Sequence, residues 1–508
     1  MKSNRRRSTG RPSRALFFAF VATVLVSFGR PASADPVVDF FRTNLLQTIP
    51  HDFFAQSLTG NGKEGIAQDR LFLVNIFTAG FAELPSAKRM TLLQGLTPLI
   101  QGSKTGEAMA HLLGALGPGY VKLGQVLGNR PDLVRKESDR DELIKLAEAA
   151  PAIELSAVRK VVEAELKKPL EQVFRKFDPI PIGVGSIGQV HRAELMDGTP
   201  VVVKVIKPGA EGALVRNMTT IEKGSEGTGQ LAKALKPVIA EIKRISSLEA
   251  DLRYEAAAIK RAEINFANRP EENVPVVNDQ LSTSNILVES VAEGRAVTEM
   301  GFGMTMRRKQ ARGVFNSILT QVFLYGDFHA DPHKGNIFAD SRGRRTYIDW
   351  GLSSTISYTQ RGKLLLAAGA LESGNDTLTL KALQGLGQNT IAEKSLLKVI
   401  GEVRKSSSEP AERLQNLMIQ SQVEGLVLSP QLILAGKALF QAEGVAKKLD
   451  PNFNSAKALQ HFATDTALHG LNMGIRSAKE KTDYLLRKPR SVARKLNPLR
   501  LLRRTPRH

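Results

Sequence analysis

Gly326-Asp327-Phe328-His329-Ala330-Asp331-Pro332-His333-Lys334-Gly335-Asn336-Ile337-Phe338, followed by Tyr347-Ile348-Asp349-Trp350-Gly351-Leu352, decides how this chain is read. Asp331 and Asn336 lie five positions apart in a turn-rich segment, and Asp349 sits in a short apolar run just before Gly351. Phosphoryl transfer asks for this set: one carboxylate to orient an attacking hydroxyl, and separate oxygen ligands to hold magnesium against phosphates. Asp331 is the candidate catalytic carboxylate; Asn336 and Asp349 are the candidate metal ligands. Asp, His, Asn and Gly are also ordinary turn residues, so either piece alone would equally suit a polar turn capping a strand. Trp350, the single Trp of the chain, follows the metal Asp as an aromatic anchor for that loop or as a plain core residue.

A kinase-like site needs three further parts: a phosphate-covering loop, a Lys and a Glu that holds the Lys. Between Ile182 and Ala193, Gly183, Gly185 and Gly188 take the first, third and sixth places of a loop that also carries Ser186. Glycine there lets backbone amides approach phosphate closely. A dinucleotide-binding loop would open a helix; here a β-branched strand, Val201-Val202-Val203-Lys204-Val205-Ile206, comes next. Lys204 is either a phosphate ligand or a strand-end Lys with its head in water. The apolar spacing of Ile242, Ile245, Leu248, Leu252 and Ile259 predicts a helix from Glu241 to Phe266. Glu255 is the expected partner of Lys204; Asp251, four residues earlier, would share its face, and Glu249 would point elsewhere.

Taken together, these segments resemble the UbiB family of atypical kinase-like proteins, also called aarF-domain proteins, from about residue 100 to about residue 355. Gly119-Tyr120-Val121-Lys122-Leu123-Gly124-Gln125 is similar to the family's Lys-x-Gly-Gln signature, which ordinary kinases and the aminoglycoside and choline phosphotransferases lack. The resemblance implies that Lys122 and Gln125 pack over the active site and that Lys122 meets a Glu-x-Asp motif, here Glu249-Ala250-Asp251. It also implies an α+β, bilobal protein-kinase-like fold with a helical N-terminal extension and a mainly helical C-lobe. ATP and magnesium would be the cofactors. The activity would be that of a phosphotransferase or ATPase, linked to isoprenoid quinone or other lipid precursors at a membrane. Val288-Glu289 to Glu293-Gly294 resembles the segment joining the lobes, where the nucleotide base would dock beside Glu289. The family usually has an Ala-rich nucleotide loop, and Gly183-Val184-Gly185 departs from it in a direction that favours a more kinase-like nucleotide pose.

The expected domains follow from Gly and Pro punctuation: 1–34 a signal peptide, 35–100 a helical region, 101–150 the Lys-x-Gly-Gln extension, 151–295 the N-lobe, 296–450 the C-lobe and 451–508 a basic tail. A Gly, Ser and Thr-rich stretch from Asn217 to Lys236 reads as a flexible connection within the N-lobe. Residues 1 to 34 hold seven Lys and Arg, no acid, an apolar core from Ala15 to Phe28 and Ala32-Ser33-Ala34 before Asp35. That pattern predicts export to a periplasm; an uncleaved anchor and a mitochondrial presequence are the alternatives. Export sits awkwardly with a need for ATP, and it leaves open a catalytically silent nucleotide- or lipid-binding protein on a kinase-like frame.

The 508 residues contain no Cys, which excludes disulfides, thiol nucleophiles and Cys-based metal sites. Of the formal charge of +21, much lies at the C-terminal end, where Arg476 to His508 holds twelve Lys and Arg against Glu480 and Asp483. Bulky apolar residues interleave with these charges, which suits an anionic membrane surface or a solubilising tail. No basic patch with interleaved aromatics occurs in the body of the chain, so no specific nucleic-acid partner is expected.

Overall fold

The computed structural model describes residues 63–101, 104–128, 134, 136–146, 151–226, 250–406, 409–462 and 464, with 38, 41 and scattered positions between 232 and 249. The expected signal peptide lies outside the described residues, as does the expected basic tail except for residues 451–462 and 464. The chain divides into two units, residues 1–147 with 213–240, and residues 148–212 with 241–508.

The first unit is helical. Its α1 (Lys63–Glu83) buries Phe72, Leu73, Ile76, Phe77 and Phe81. After it come α2 (Ser86–Gln101), α3 (Thr105–Leu116), α4 (Pro118–Gly128) and α5 (Glu137–Lys145). The Lys-x-Gly-Gln stretch forms most of α4, and its small residues are packing devices. A Cβ on Gly124 would run into the Leu146 and Leu113 side chains, and one on Gly119 into Asn217. The Gly119 amide donates to Asn217 Oδ1 at 3.2 Å, and Tyr120, wholly buried, donates its hydroxyl to the Ile76 carbonyl at 3.0 Å. Asn217 belongs to α8 (Ala210–Gly224), so the stretch read as a flexible connection opens as a helix. The reason lies in Leu214, Met218 and Ile221, three buried apolar residues at helical spacing that outweigh the Thr and Gly content. Residues 213–240 accordingly group with the first unit rather than with the N-lobe.

The second unit opens with α6 (Leu155–Leu166) and the short α7 (Leu170–Val173). An antiparallel sheet follows: β1 (Phe174–Phe177), β3 (Gly188–Leu195), β4 (Pro200–Ile206) and β6 (Ile286–Ser290) in that order, with β2 (Gly183–Val184) also paired to β3. Side chains alternate across a strand. Val201, Val203 and Val205 therefore pack with Ile286 and Val288 against Val158 and Val162 of α6, and Lys204 takes the opposite face, paired with Leu287.

From Leu252 to Phe266 runs α9. The single helix expected from Glu241 onward is interrupted before it, because Asp251 sits at φ −128° and accepts from the Arg253 amide as an N-cap. A second small sheet orders β5 (Glu272–Asn273), β10 (Arg345–Tyr347), β9 (Ile337–Ala339) and β7 (Arg295–Ala296). Between β7 and β9 lie α10 (Met304–Leu319), a π-helical turn at Thr320–Tyr325, and β8 (Asp327–His329), which pairs with β11 (Ser353–Thr355). Helices α11 (Tyr358–Glu372), α12 (Asp376–Gln384), α13 (Glu393–Lys405), α14 (Pro410–Val423) and α15 (Pro430–Leu449) complete the unit, with α15 packed along α10. A sheet-bearing part followed by a mainly helical part is the α+β, kinase-like arrangement expected. Among the described residues no helix is long and apolar enough to cross a membrane.

Candidate active site

The β9–β10 hairpin explains why distant residues meet. Ile337 is opposite Tyr347 in its register, and the Ile348 amide donates to the Asn336 carbonyl at 3.0 Å, so Asn336 and Asp349 emerge at the same end. Asp349 adopts φ +58°, a left-handed conformation that Asp tolerates better than most residues and that turns the chain sharply after the strand. Trp350 fixes that turn: it is 2% exposed, donates its indole N–H to the Tyr347 carbonyl at 2.9 Å, and meets the rings of Phe266 and His329.

Lys204 reaches Glu255 Oε2 at 2.8 Å and Asp349 Oδ1 at 2.8 Å, joining the strand, α9 and the turn after β10. Glu255 is 4% exposed, and burial pushes its carboxyl up to about 7 against the pull of Lys204. The Lys204 ammonium is the principal influence on Asp349 and holds it below the usual carboxylate range, although half of that side chain is exposed. Burial opposes the charge of Lys204, but Asp349 and Glu255 outweigh it and raise its pKa. Glu289, on the same face of the sheet as Lys204, is pushed up to about 8 by burial and by Glu255, and its Oε2 has no hydrogen-bond partner among the described residues.

On the other segment, His329 is completely buried and orients the loop. Its Nδ1 accepts from the Asp331 amide at 3.1 Å, so Nε2 carries the proton donated to the Ile348 carbonyl at 2.9 Å, and burial lowers its pKa. The Asn336 side chain donates to the Asp331 carbonyl at 3.1 Å. Asp331 itself accepts through Oδ1 from Lys437 Nζ at 2.7 Å and from Gln441 Nε2 at 2.9 Å, both on α15. Burial opposes its ionisation, but Lys437, His333 and Gln441 prevail and hold it well below the usual carboxylate range.

Gly183, Gly185, Ser186 and Gly188 lie in and around the β2–β3 turn, which the Gly185 amide closes onto the Gly188 carbonyl at 2.8 Å. A Cβ on Gly183 would meet nothing within 4 Å and one on Gly185 only the Gly188 carbonyl at 3.6 Å, whereas one on Gly188 would lie 3.0 Å from the Val205 carbonyl, a tight contact. Lys207 ties this turn down, donating to the carbonyls of Gly185 at 2.7 Å and Pro151 at 2.8 Å. Of the remaining expected residues, Lys122 and Gln125 are on α4 in the first unit, and Glu249 and Asp251 are in the second. The Asp251 carboxylate is taken up by the Arg253 amide and guanidinium, so it caps α9 instead of sharing a helix face with Glu255.

Sequence reasoning missed Lys437, Gln441 and Lys207. A signal for the first two exists: a Lys and a Gln four apart interrupt the run Leu432-Ile433-Leu434-Ala435-Gly436-Lys437-Ala438-Leu439-Phe440-Gln441, where charge would otherwise be excluded. Asn336 and Asp349 offer hard oxygen donors, which fit magnesium, an ion that takes few protein ligands and completes its shell with phosphates and water. Among the described residues no three His, Asp or Glu side chains gather into a metal cage, so the nucleotide would have to supply the rest.

Residues 145–380 match the family model described as the ABC1 atypical kinase-like domain. The chain is 30% identical to "Probable protein kinase UbiB" of Shewanella baltica, over 70% of this chain and 69% of that protein. It is 29% identical to "Protein ACTIVITY OF BC1 COMPLEX KINASE 7, chloroplastic" of Arabidopsis thaliana, over 73% of this chain and 56% of that protein. Among solved structures, the Rv3197–erythromycin complex from Mycobacterium tuberculosis aligns with a TM-score of 0.44 and 20% identity, over 70% of this chain and 94% of that one.

Proposed function

Since the chain belongs to the UbiB/ABC1 family of atypical kinase-like proteins, we propose that it binds ATP with magnesium and transfers or hydrolyses the terminal phosphoryl group. The observation that carries this reading is the meeting of Lys204 with Glu255 and Asp349, each at 2.8 Å, beside the loop that presents Asp331 and Asn336. Lys204 then binds nucleotide phosphates, held on station by Glu255. Asp331 orients the acceptor hydroxyl or water and takes its proton. Asn336 and Asp349 hold the magnesium, which neutralises charge on the phosphates. The turn from Gly183 to Gly188 covers the phosphates with backbone amides, and the base lies toward Glu289.

The acceptor is proposed to be an isoprenoid quinone precursor or another lipid, on the strength of the family resemblance. Export by the leader and attachment of the basic tail to an anionic membrane are proposed from composition alone.

Titration calorimetry of the full-length protein with ATP, with and without magnesium and alongside Asp349→Asn, tests the reading. Binding that requires magnesium and weakens at least about tenfold in Asp349→Asn supports it. No heat from the wild type under either condition would leave a catalytically silent lipid-binding protein as the better account, and phosphate release without an added lipid would mark an ATPase.

A further inference from the structure

Helix α15 enters the site through two side chains one turn apart, and both serve a single atom. Lys437 and Gln441 donate to Asp331 Oδ1, whereas among the described residues Oδ2 pairs with His333 Nε2 at 3.7 Å. Two donors on one oxygen fix the plane of the carboxylate and leave the other oxygen open to a hydroxyl. Lys437 and Asp331 are 20% and 28% exposed, so their pairing is shielded from bulk water but reachable by a ligand. Lys204 is already committed to Glu255 and Asp349. The Lys437 ammonium is therefore a further cation, placed where the acceptor would attack.

The geometry points to Lys437 as a phosphoryl-binding residue that rests on Asp331 and passes to the transferred group during the reaction. This inference depends on the nucleotide reading above. An attacking oxygen would lie within roughly 3 Å of the carboxylate that takes its proton and roughly 3–3.5 Å from phosphorus. An ammonium 2.7 Å from the same carboxylate is then one swing of a four-carbon chain from the equatorial phosphoryl oxygens, where the transition state collects negative charge. In the transfer, the acceptor oxygen bonds to phosphorus as its proton passes to Asp331 Oδ2. The bond from phosphorus to the β–γ bridging oxygen breaks, and ADP leaves with the electron pair. Gln441 keeps its hydrogen bond to Oδ1 throughout, so the carboxylate holds its orientation when Lys437 departs. The buried Gln441 Oε1 has no hydrogen-bond partner among the described residues and remains an acceptor on the same side chain.

The test compares a non-hydrolysable ATP analogue with ADP, both with magnesium, by calorimetry on full-length wild type, Lys437→Met and Lys437→Arg. Lys437→Met is expected to weaken the triphosphate about tenfold and leave ADP within about twofold, and Lys437→Arg to restore most of the difference. In turnover, Lys437→Met should lower kcat and raise KM for ATP in step with the weaker triphosphate binding. Equal losses for both nucleotides, or no loss for either, would overturn the assignment while leaving nucleotide binding intact. A wild type that binds neither nucleotide would instead remove the functional reading and this assignment with it.

Discussion

Lys204 and Lys437 are both lysines tied to carboxylates, yet the two ties are built differently. Lys204 projects from the middle of a sheet and meets two carboxylates, one of them Glu255, 4% exposed. Lys437 projects from a helix and meets one carboxylate, Asp331, which keeps an amide partner of its own in Gln441. The first tie is part of the fold, because without it a charge is stranded in the interior. The second can open and close at smaller cost, because Asp331 keeps Gln441 as a donor when Lys437 leaves and neither partner is as deeply buried as Glu255. On the proposed function, one tie keeps the site assembled and the other releases its lysine to the substrate.

The most severe way to break this contrast is Lys204→Met. Removing one member of a buried pair costs about 3 kcal/mol or more, so chemical denaturation should show a large loss, partly recovered by Lys204→Met combined with Glu255→Gln. Glu289→Gln comes next and sharpens the same point by pH. The folded chain holds the Glu289 proton up to about 8, whereas an ordinary carboxyl releases it near 4.5. The folded state thus binds more protons across that window, and stability falls as pH rises through it. Glu289→Gln should remove its share of the fall and leave that of Glu255, with a melting temperature about 2–4 °C above wild type at pH 8 and little difference at pH 5. Lys437→Met should cost only about 1 kcal/mol by the same denaturation; a loss as large as that of Lys204→Met would erase the distinction. Smallest is Gly183→Ala with Gly185→Ala, where the space for each Cβ predicts stability unchanged or raised by about 0.5 kcal/mol. Nucleotide affinity should drop, and unchanged affinity would show that these glycines do not set the nucleotide pose.

Local sequence carried one tie and hid the other. Lys204 lies in a β-branched strand after a glycine turn, and Asp331, Asn336 and Asp349 lie in two short segments with fixed spacing, so each could be placed from its neighbours. Glu255 followed from helical periodicity. The polar pair in the apolar run of α15 marks Lys437, but not its target: it arrives at Asp331 from 106 residues away, through the packing of α15 along α10. Asp251 shows the opposite failure. Periodicity extended one helix through it, but its short carboxylate satisfies the free Arg253 amide at the start of α9, and that local bond ended the helix. The stretch from Asn217 was misread through composition, since Thr and Gly concealed an apolar stripe.

Lys207 bonds the Gly185 carbonyl of the phosphate turn and the Pro151 carbonyl at the entry to α6 with one ammonium. Two segments that share a single donor are thermodynamically linked, and linkage runs both ways with equal free energy. On the proposed function, a nucleotide that steadies the turn would also steady the entry segment, and a load applied at Pro151 would register as a change in nucleotide affinity. In mechanical terms, Lys207 makes the glycine turn a strain gauge for the segment at Pro151.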